Sequence, residues 1–268
     1  MELRPGFRPH PRLAHVVFDW DGTLSLIRAG WGEVMLAQWL ALIPPLPGES
    51  VEQLRHLAHD DIWRLNGKPS IHQAAQLAQR IGERGGRPLS AVEHENDYQR
   101  RLGEVVGERL NAVRSGTATA DAWLVTDARR AIETLAGRGL MLHVVSGTQR
   151  RFVAEEADAL GVAQHFGGRI HGPTSEQDTA YSKRGVLDAI LRDYGIAGGQ
   201  LLAFGDGHVE IEQTKMVGGL AVAVATDERE FHSGRIDAAK RDRLMGVGAD
   251  VCIADFRELD ALLPVLFP

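Results

Sequence analysis

Two carboxylates one residue apart, Asp19 and Asp21, close the apolar run HVVF and are followed by Gly22 and Thr23. An apolar run that stops at an acidic turn reads as a buried strand delivering charge to a sheet's carboxyl edge, where open α/β folds bind ligands. A second run, 140–145, ends at Ser146, Gly147 and Thr148; a third, 201–204, ends at Gly205 and Asp206, with Glu210 four residues on. A carboxylate at such an edge can act as nucleophile and a second can move a proton. A hydroxyl with backbone N–H groups ahead of a helix cradles phosphate. Carboxylate oxygens such as those of Asp206 and Glu210 are the hard donors that magnesium prefers. Each feature has a plainer reading alone. Asp-Gly is a common turn pair, and Ser146 reads as a helix N-cap worth about 1 kcal/mol.

The elements that must position these residues follow from periodicity. Strand-like runs at 15–18, 140–145, 201–204 and 220–225 are separated by helical patterns at 127–137, 150–160 and 183–194. Strands alternating with helices predict a parallel, doubly wound α/β sheet of Rossmann type, and right-handed crossovers bring the strand ends to one edge. Residues 30–117 break the pattern. They hold helical stretches at 31–42, 51–65, 71–83 and 92–110, with almost no strand signal and with loops at 44–48 and 67–70. The expected organisation is a core of 1–29 and 118–268 with a helical cap at 30–117.

Taken in order, Asp19-x-Asp21-Gly22-Thr23, Ser146, Lys183 placed 23 residues before Asp206, and Asp206 with Glu210 resemble the motifs of the haloacid-dehalogenase-like phosphohydrolases. The resemblance covers roughly 13–28 and 118–268; the cap matches by position only. It implies that Asp19 is the nucleophile, forming an aspartyl-phosphate, and that Asp21 protonates the leaving oxygen and later deprotonates water. Ser146, with Gly147 and Thr148, would hold the phosphate, and Lys183 would steady nucleophile and phosphate as a compact charge. Mg2+ would be held by Asp19, Asp206 and the main-chain carbonyl of Asp21, with Glu210 binding directly or through water. Glu210 departs from the family, whose later acid is more often Asp. Arg28 at the hinge and Lys68 in the cap loop are expected substrate contacts, with Trp31 at the hinge and Asn66, Gly67, His72 and Gln73 in the cap as lesser candidates; His208 is a further candidate in the core, and Glu212 is expected in solvent.

The activity so implied is phosphoric monoester hydrolysis of a small phosphorylated metabolite, such as a sugar phosphate. A sugar phosphomutase and a phosphonoaldehyde hydrolase using Lys68 stay open as alternatives, although the latter enzymes usually lack an acid at the position of Asp21. A receiver domain would be about half this length.

Composition sets outer bounds. The 268 residues carry a formal charge of −6, with 44% hydrophobic and 25% charged residues, which is ordinary for a soluble globular chain. The acidic balance and the absence of a long basic run argue against a nucleic-acid partner, and no stretch approaches the ~20 apolar residues of a membrane span. The single cysteine, Cys252, lies in an apolar run and reads as a buried structural thiol. The opening 15 residues read as a short extended leader, and the expected location is cytoplasmic, with a homodimer allowed.

Overall fold

A computed structural model describes residues 1–10, 12–65, 69–175, 178 and 180–268. The chain divides into two compact units, Met1–Ala29 with Arg109–Pro268, and Gly30–Glu108.

The first unit is built on a seven-stranded sheet. Its strands in chain order are β1 (Glu2–Leu3), β2 (His15–Phe18), β3 (Met141–Val145), β4 (Ile170–His171), β5 (Leu201–Gly205), β6 (Leu220–Val224) and β7 (Val251–Ile253), arranged β1-β7-β6-β5-β2-β3-β4. All pairs are parallel except β1 with β7. β2 is central, with Phe18 opposite Val144 on one side and Phe204 on the other. The expected extended leader therefore contains an edge strand: Glu2 and Leu3 pair with Cys252 and Val251. Helices α5 (Ala128–Gly137), α6 (Arg150–Ala159), α7 (Lys183–Asp193), α8 (His208–Met216), α9 (Ala238–Gly246) and α10 (Leu259–Leu266) complete the unit.

The strands are apolar because they are covered on both faces. On one face Phe18 stacks on Phe204 with ring centroids 5.1 Å apart and meets Phe166 and Phe256 edge-on. Burying each such ring contributes roughly 1.5–3 kcal/mol. On the other face Val17, Val145, Leu201 and Ala203 pack with Leu187 and Ile190 of α7. The register thus fixes where β2, β3 and β5 end.

The second unit holds the helices α1 (Trp31–Leu42), α2 (Val51–Arg64) and α3 (Ile71–Glu83) and most of α4 (Ala91–Arg114). Ser50 and Gln53 form a capping box at the start of α2. Trp39, Ile62 and Leu77 are fully buried, and the buried Asp61 carboxylate is paired with Arg64 and Arg80. Trp63 stacks between Trp31 and His59 and lies over Gly32, where a Cβ would meet its ring at 2.1 Å. The division falls at 108/109, earlier than the expected 117/118. Arg109 explains the shift: its guanidinium donates to the Ile27 and Ala29 carbonyls at 2.7 and 2.8 Å and lies over the Trp123 ring. Among the described residues, no helix is long and apolar enough to cross a membrane.

Beside the helix face of β2 and β3 lies a cluster of imidazoles. His15 Nδ1 and His143 Nε2 are 3.1 Å apart, and His143 also stacks with His171 of β4. Burial, with His15, His171 and Arg169 adding to it, pushes His143 down to about 3. The unfolded chain therefore binds a proton near pH 6.5 that the folded chain refuses. The stability is fully present above about pH 6.5 and is lost as the pH falls from there towards 3. One such histidine is expected to cost about 2 kcal/mol between pH 6.5 and 5. Urea unfolding at pH 7.5 and 5.0 measures this, and His143→Leu should flatten the difference. An unchanged difference in that variant would assign the acid sensitivity elsewhere.

Candidate functional site

β2 ends at Asp19, whose N–H continues the sheet by donating to the Phe204 carbonyl at 2.9 Å. The Asp19 carboxylate is buried, and its Oδ1 accepts from the Trp20 N–H at 2.8 Å. The chain then turns sharply. The Trp20 carbonyl accepts from Thr23, Leu24 and Ser25, and Gly22 donates to the Ser25 carbonyl. Gly22 has φ +74° and no room for a side chain, since a Cβ there would lie 2.3 Å from Asp206 Oδ2. Both demands require glycine. Thr23, fully buried, donates its hydroxyl to Asp206 Oδ1 at 3.3 Å.

Asp21 points the other way from Asp206 in its bonding. Its Oδ2 accepts from the Thr148 hydroxyl at 2.7 Å, and Arg28 Nε stands 3.8 Å from its Oδ1. Burial raises its pKa to about 7, opposed by Arg28, reinforced by Glu156, opposed by the Thr148 hydrogen bond and reinforced by Asp19. Such a carboxyl carries or releases a proton near neutrality, as a general acid must.

The β3 end supplies Ser146, Gly147 and Thr148. Ser146 does not cap α6, which begins at Arg150; its Oγ accepts instead from the Thr148 N–H at 3.0 Å. A Cβ on Gly147 would meet open space. Thr148, expected on the substrate, has its hydroxyl on Asp21. Arg28, also expected there, donates to Glu156 through Nε at 2.9 Å and pairs with it through a second nitrogen at 2.7 Å. Glu156 is fully buried on α6 and also accepts from the Trp20 indole at 2.7 Å.

Lys183 opens α7, behind an N-cap by Ser182. Its Nζ lies 2.9 Å from Asp19 Oδ1 and is ion-paired with Glu210 Oε1. Glu210 reaches back from the first turn of α8 because Gly205 and Gly207 flank Asp206; a Cβ on Gly207 would fall 2.2 Å from Glu210 Oε2. Among the remaining candidates, His208 begins α8, Glu212 is exposed, and Gln73 is buried, donating to the Ile62 carbonyl. Lys68, with Asn66 and Gly67, lies outside the described residues. The core thus brings Asp19, Asp21, Ser146, Thr148, Lys183, Asp206 and Glu210 to one end of the sheet.

A family model described as haloacid dehalogenase-like hydrolase matches residues 13–218. The chain belongs to the haloacid dehalogenase-like hydrolases. No curated relative matches the sequence. Solved structures similar to this hydrolase include a predicted phosphoglycolate phosphatase from Haemophilus somnus, at 16% identity and TM-score 0.63, covering 94% of this chain and 98% of the other. A conserved haloacid dehalogenase-like protein of unknown function from Agrobacterium tumefaciens has 16% identity and TM-score 0.64, with the same coverage. A hydrolase of the family from Bacillus subtilis, bound to magnesium, has 15% identity and TM-score 0.60 and covers 95% and 100%. At these identities the likeness is one of fold.

For this haloacid dehalogenase-like hydrolase the donor chemistry fits magnesium. Among the described residues, no three His, Cys, Asp or Glu side chains form a group that could hold a metal by themselves. Mg2+ needs no such group: one or two carboxylates suffice, with waters and substrate oxygens completing the octahedron. Asp19 and Asp206 with the Asp21 carbonyl are a set of that kind. The carboxylates of Asp19, Asp21, Glu156, Asp206, Glu210 and Glu228 also outnumber the cations Arg28, Lys183 and Lys240 around them. Among the described residues, Glu210 Oε2 and Asp21 Oδ1 are buried with no hydrogen-bond partner. Among the described residues, the site has more acidic groups than cations.

Several site residues were not read from the hydrolase's sequence. Tyr181 donates its hydroxyl to the Ser146 carbonyl at 2.6 Å, and Glu156 holds Arg28. Lys240 ties Asp206 to Glu228. The one sequence signal for Lys240 is scarcity, since the chain has lysine only at 68, 183, 215 and 240.

Proposed function

We propose that this hydrolase is a magnesium-dependent phosphatase that cleaves a small phosphorylated metabolite, a sugar phosphate or similar ester, through an aspartyl-phosphate. The observation that carries this reading is the buried Asp19 carboxylate, with Trp20 N–H and Lys183 both on Oδ1 and Asp21 two residues on. Those contacts leave Oδ2 as the attacking oxygen. It forms a bond to phosphorus while the ester P–O bond breaks, and Asp21 gives its proton to the departing oxygen. Asp21 then takes a proton from water as the water oxygen attacks phosphorus and the bond to Asp19 breaks. Lys183 balances the charge on Asp19, while the Ser146 hydroxyl and the Gly147 N–H hold the phosphoryl oxygens. Mg2+, held by Asp19, Asp206 and the Asp21 carbonyl with Glu210 nearby, would neutralise phosphoryl charge.

Asp21 favours ester hydrolysis over phosphonoaldehyde cleavage, because a leaving alkoxide needs an acid. Phosphate release from a panel of phosphorylated metabolites, with Mg2+ and with chelator, tests the reading. Release from a few related sugar phosphates that stops with chelator and returns with Mg2+ is expected. No release from any ester by folded protein with Mg2+ would overturn it in favour of the mutase or phosphonoaldehyde activities.

A further inference from the structure

Lys240 occupies a costly position. It is 9% exposed, and it lies in the first turn of α9, where the helix dipole disfavours a cation. A buried ammonium persists only when paired, and Lys240 is paired twice. Its Nζ donates to Glu228 Oε1 at 2.7 Å and to Asp206 Oδ2 at 3.1 Å. Asp237 caps the helix by accepting from the Lys240 N–H at 2.9 Å, which fixes the root of the side chain.

Glu228 is held with similar care. It lies on the segment joining β6 to α9, which is pinned at both ends. Thr226 donates to the Ala254 carbonyl at 2.8 Å, and the Asp237 N–H donates to the Ala225 carbonyl at 2.8 Å. Between them His232 takes the left-handed backbone at φ +58°, uncommon for a side chain of its size, with its ring bonded to the Thr126 hydroxyl and near the Ala122 carbonyl. Glu228 and Asp206 both converge on Gly22, where a Cβ would lie 3.1 Å from the first and 2.3 Å from the second. Two carboxylates so close repel unless a cation stands between them.

We infer that Lys240 and Glu228 are positioning residues that orient Asp206 for its role as a cation ligand, an inference that rests on the proposed metal-dependent reading. The shorter contact is to Glu228, so most of the ammonium's charge is balanced there. Its effect on Asp206 is therefore directional: it fixes Oδ2 while Thr23 fixes Oδ1. Nothing in the family resemblance marks either residue, and both lie beyond residue 218, outside the segment that the family model matches.

Mn2+ binding to the full chain, followed by the paramagnetic resonance signal of free Mn2+ and by competition with Mg2+, tests this without any substrate. Asp206→Asn should abolish binding; if it binds as the unaltered protein does, the metal reading itself fails, and the inference with it. Where that control holds, Lys240→Met and Glu228→Gln should each weaken Mn2+ binding about 10- to 100-fold, the range for residues that orient a metal ligand. Lys240→Arg, which restores the cation, should recover part of the loss. Affinity unchanged or raised in both Lys240→Met and Glu228→Gln, at an unchanged melting profile, would overturn the inference, because a simple charge competitor tightens metal binding when removed. Should Lys240→Met fail to fold, Lys240→Gln takes its place, since losing that cation raises affinity if it only competes by charge and lowers it if it orients Asp206.

Discussion

Asp19→Asn is expected to give a folded protein whose phosphate release falls by about 10^4- to 10^6-fold, the scale of removing a covalent nucleophile. The fold should survive because Asn keeps an Oδ1 acceptor for the Trp20 N–H, and Lys183 keeps its pairing with Glu210. The β2 ladder uses only the main chain at this residue, through its N–H to Phe204. The loss lies in chemistry: an amide oxygen is a poor nucleophile towards phosphorus. Acid-quenched unaltered enzyme, mixed with substrate, should yield a phosphorylated peptide containing Asp19, and the variant should yield none. A variant with near-normal turnover, or a phosphopeptide elsewhere, would remove Asp19 from the role of nucleophile.

The strands that end in chemistry were legible because a strand buried on both faces is a nearly unbroken apolar run. HVVF, the run ending in Val145 and LLAF are therefore visible, and the polar residues that follow them stand out. Short pairings are not visible in this way. β1 and β4 have two residues each, and their strand character comes from the neighbour they pair with. The site was legible where residue type and order suffice: an acid pair, a hydroxyl, a lysine and a second acid pair. What sequence order cannot carry is which partner each side chain selects. Thr148 and Arg28 stand out in the sequence as site residues, but only the parallel register of β2 beside β3 and the turn after Asp19 reveal their protein partners, Asp21 and Glu156. Lys240 was equally hidden, because α9 follows a segment whose path depends on contacts with Ala254, Thr126 and Ala225.

Those same contacts explain why the acidic site is stable enough to exist. Burial raises the pKa of Asp206, with Lys240 opposing the shift and Glu228 and Asp19 adding to it. Lys183 is ion-paired with both Asp19 and Glu210. Each lysine bridges two carboxylates, so the cluster holds its acids by sharing cations between them. Breaking such a pair by removing one partner is more damaging than never having formed it.

Asp21→Asn is the second variant with a large expected effect, and its value is that the loss depends on the substrate. Asn keeps the acceptor for the Thr148 hydroxyl but cannot give up a proton. With an alkyl phosphate, whose leaving oxygen is strongly basic, kcat should fall about 10^2- to 10^4-fold, the usual contribution of a positioned general acid. With an aryl phosphate whose leaving group is already a weak base, formation of the aspartyl-phosphate needs no proton and should proceed at close to the normal rate. The second half-reaction still needs Asp21 to accept a proton from water. The variant should therefore release a burst of the aryl leaving group and then stall, with phosphate held on Asp19. Rapid-mixing measurement of leaving-group and phosphate release on the same sample separates the two steps. Equal losses for alkyl and aryl substrates, with no burst, would show that Asp21 acts on something other than the leaving oxygen, and the assignment of general acid would pass to another group.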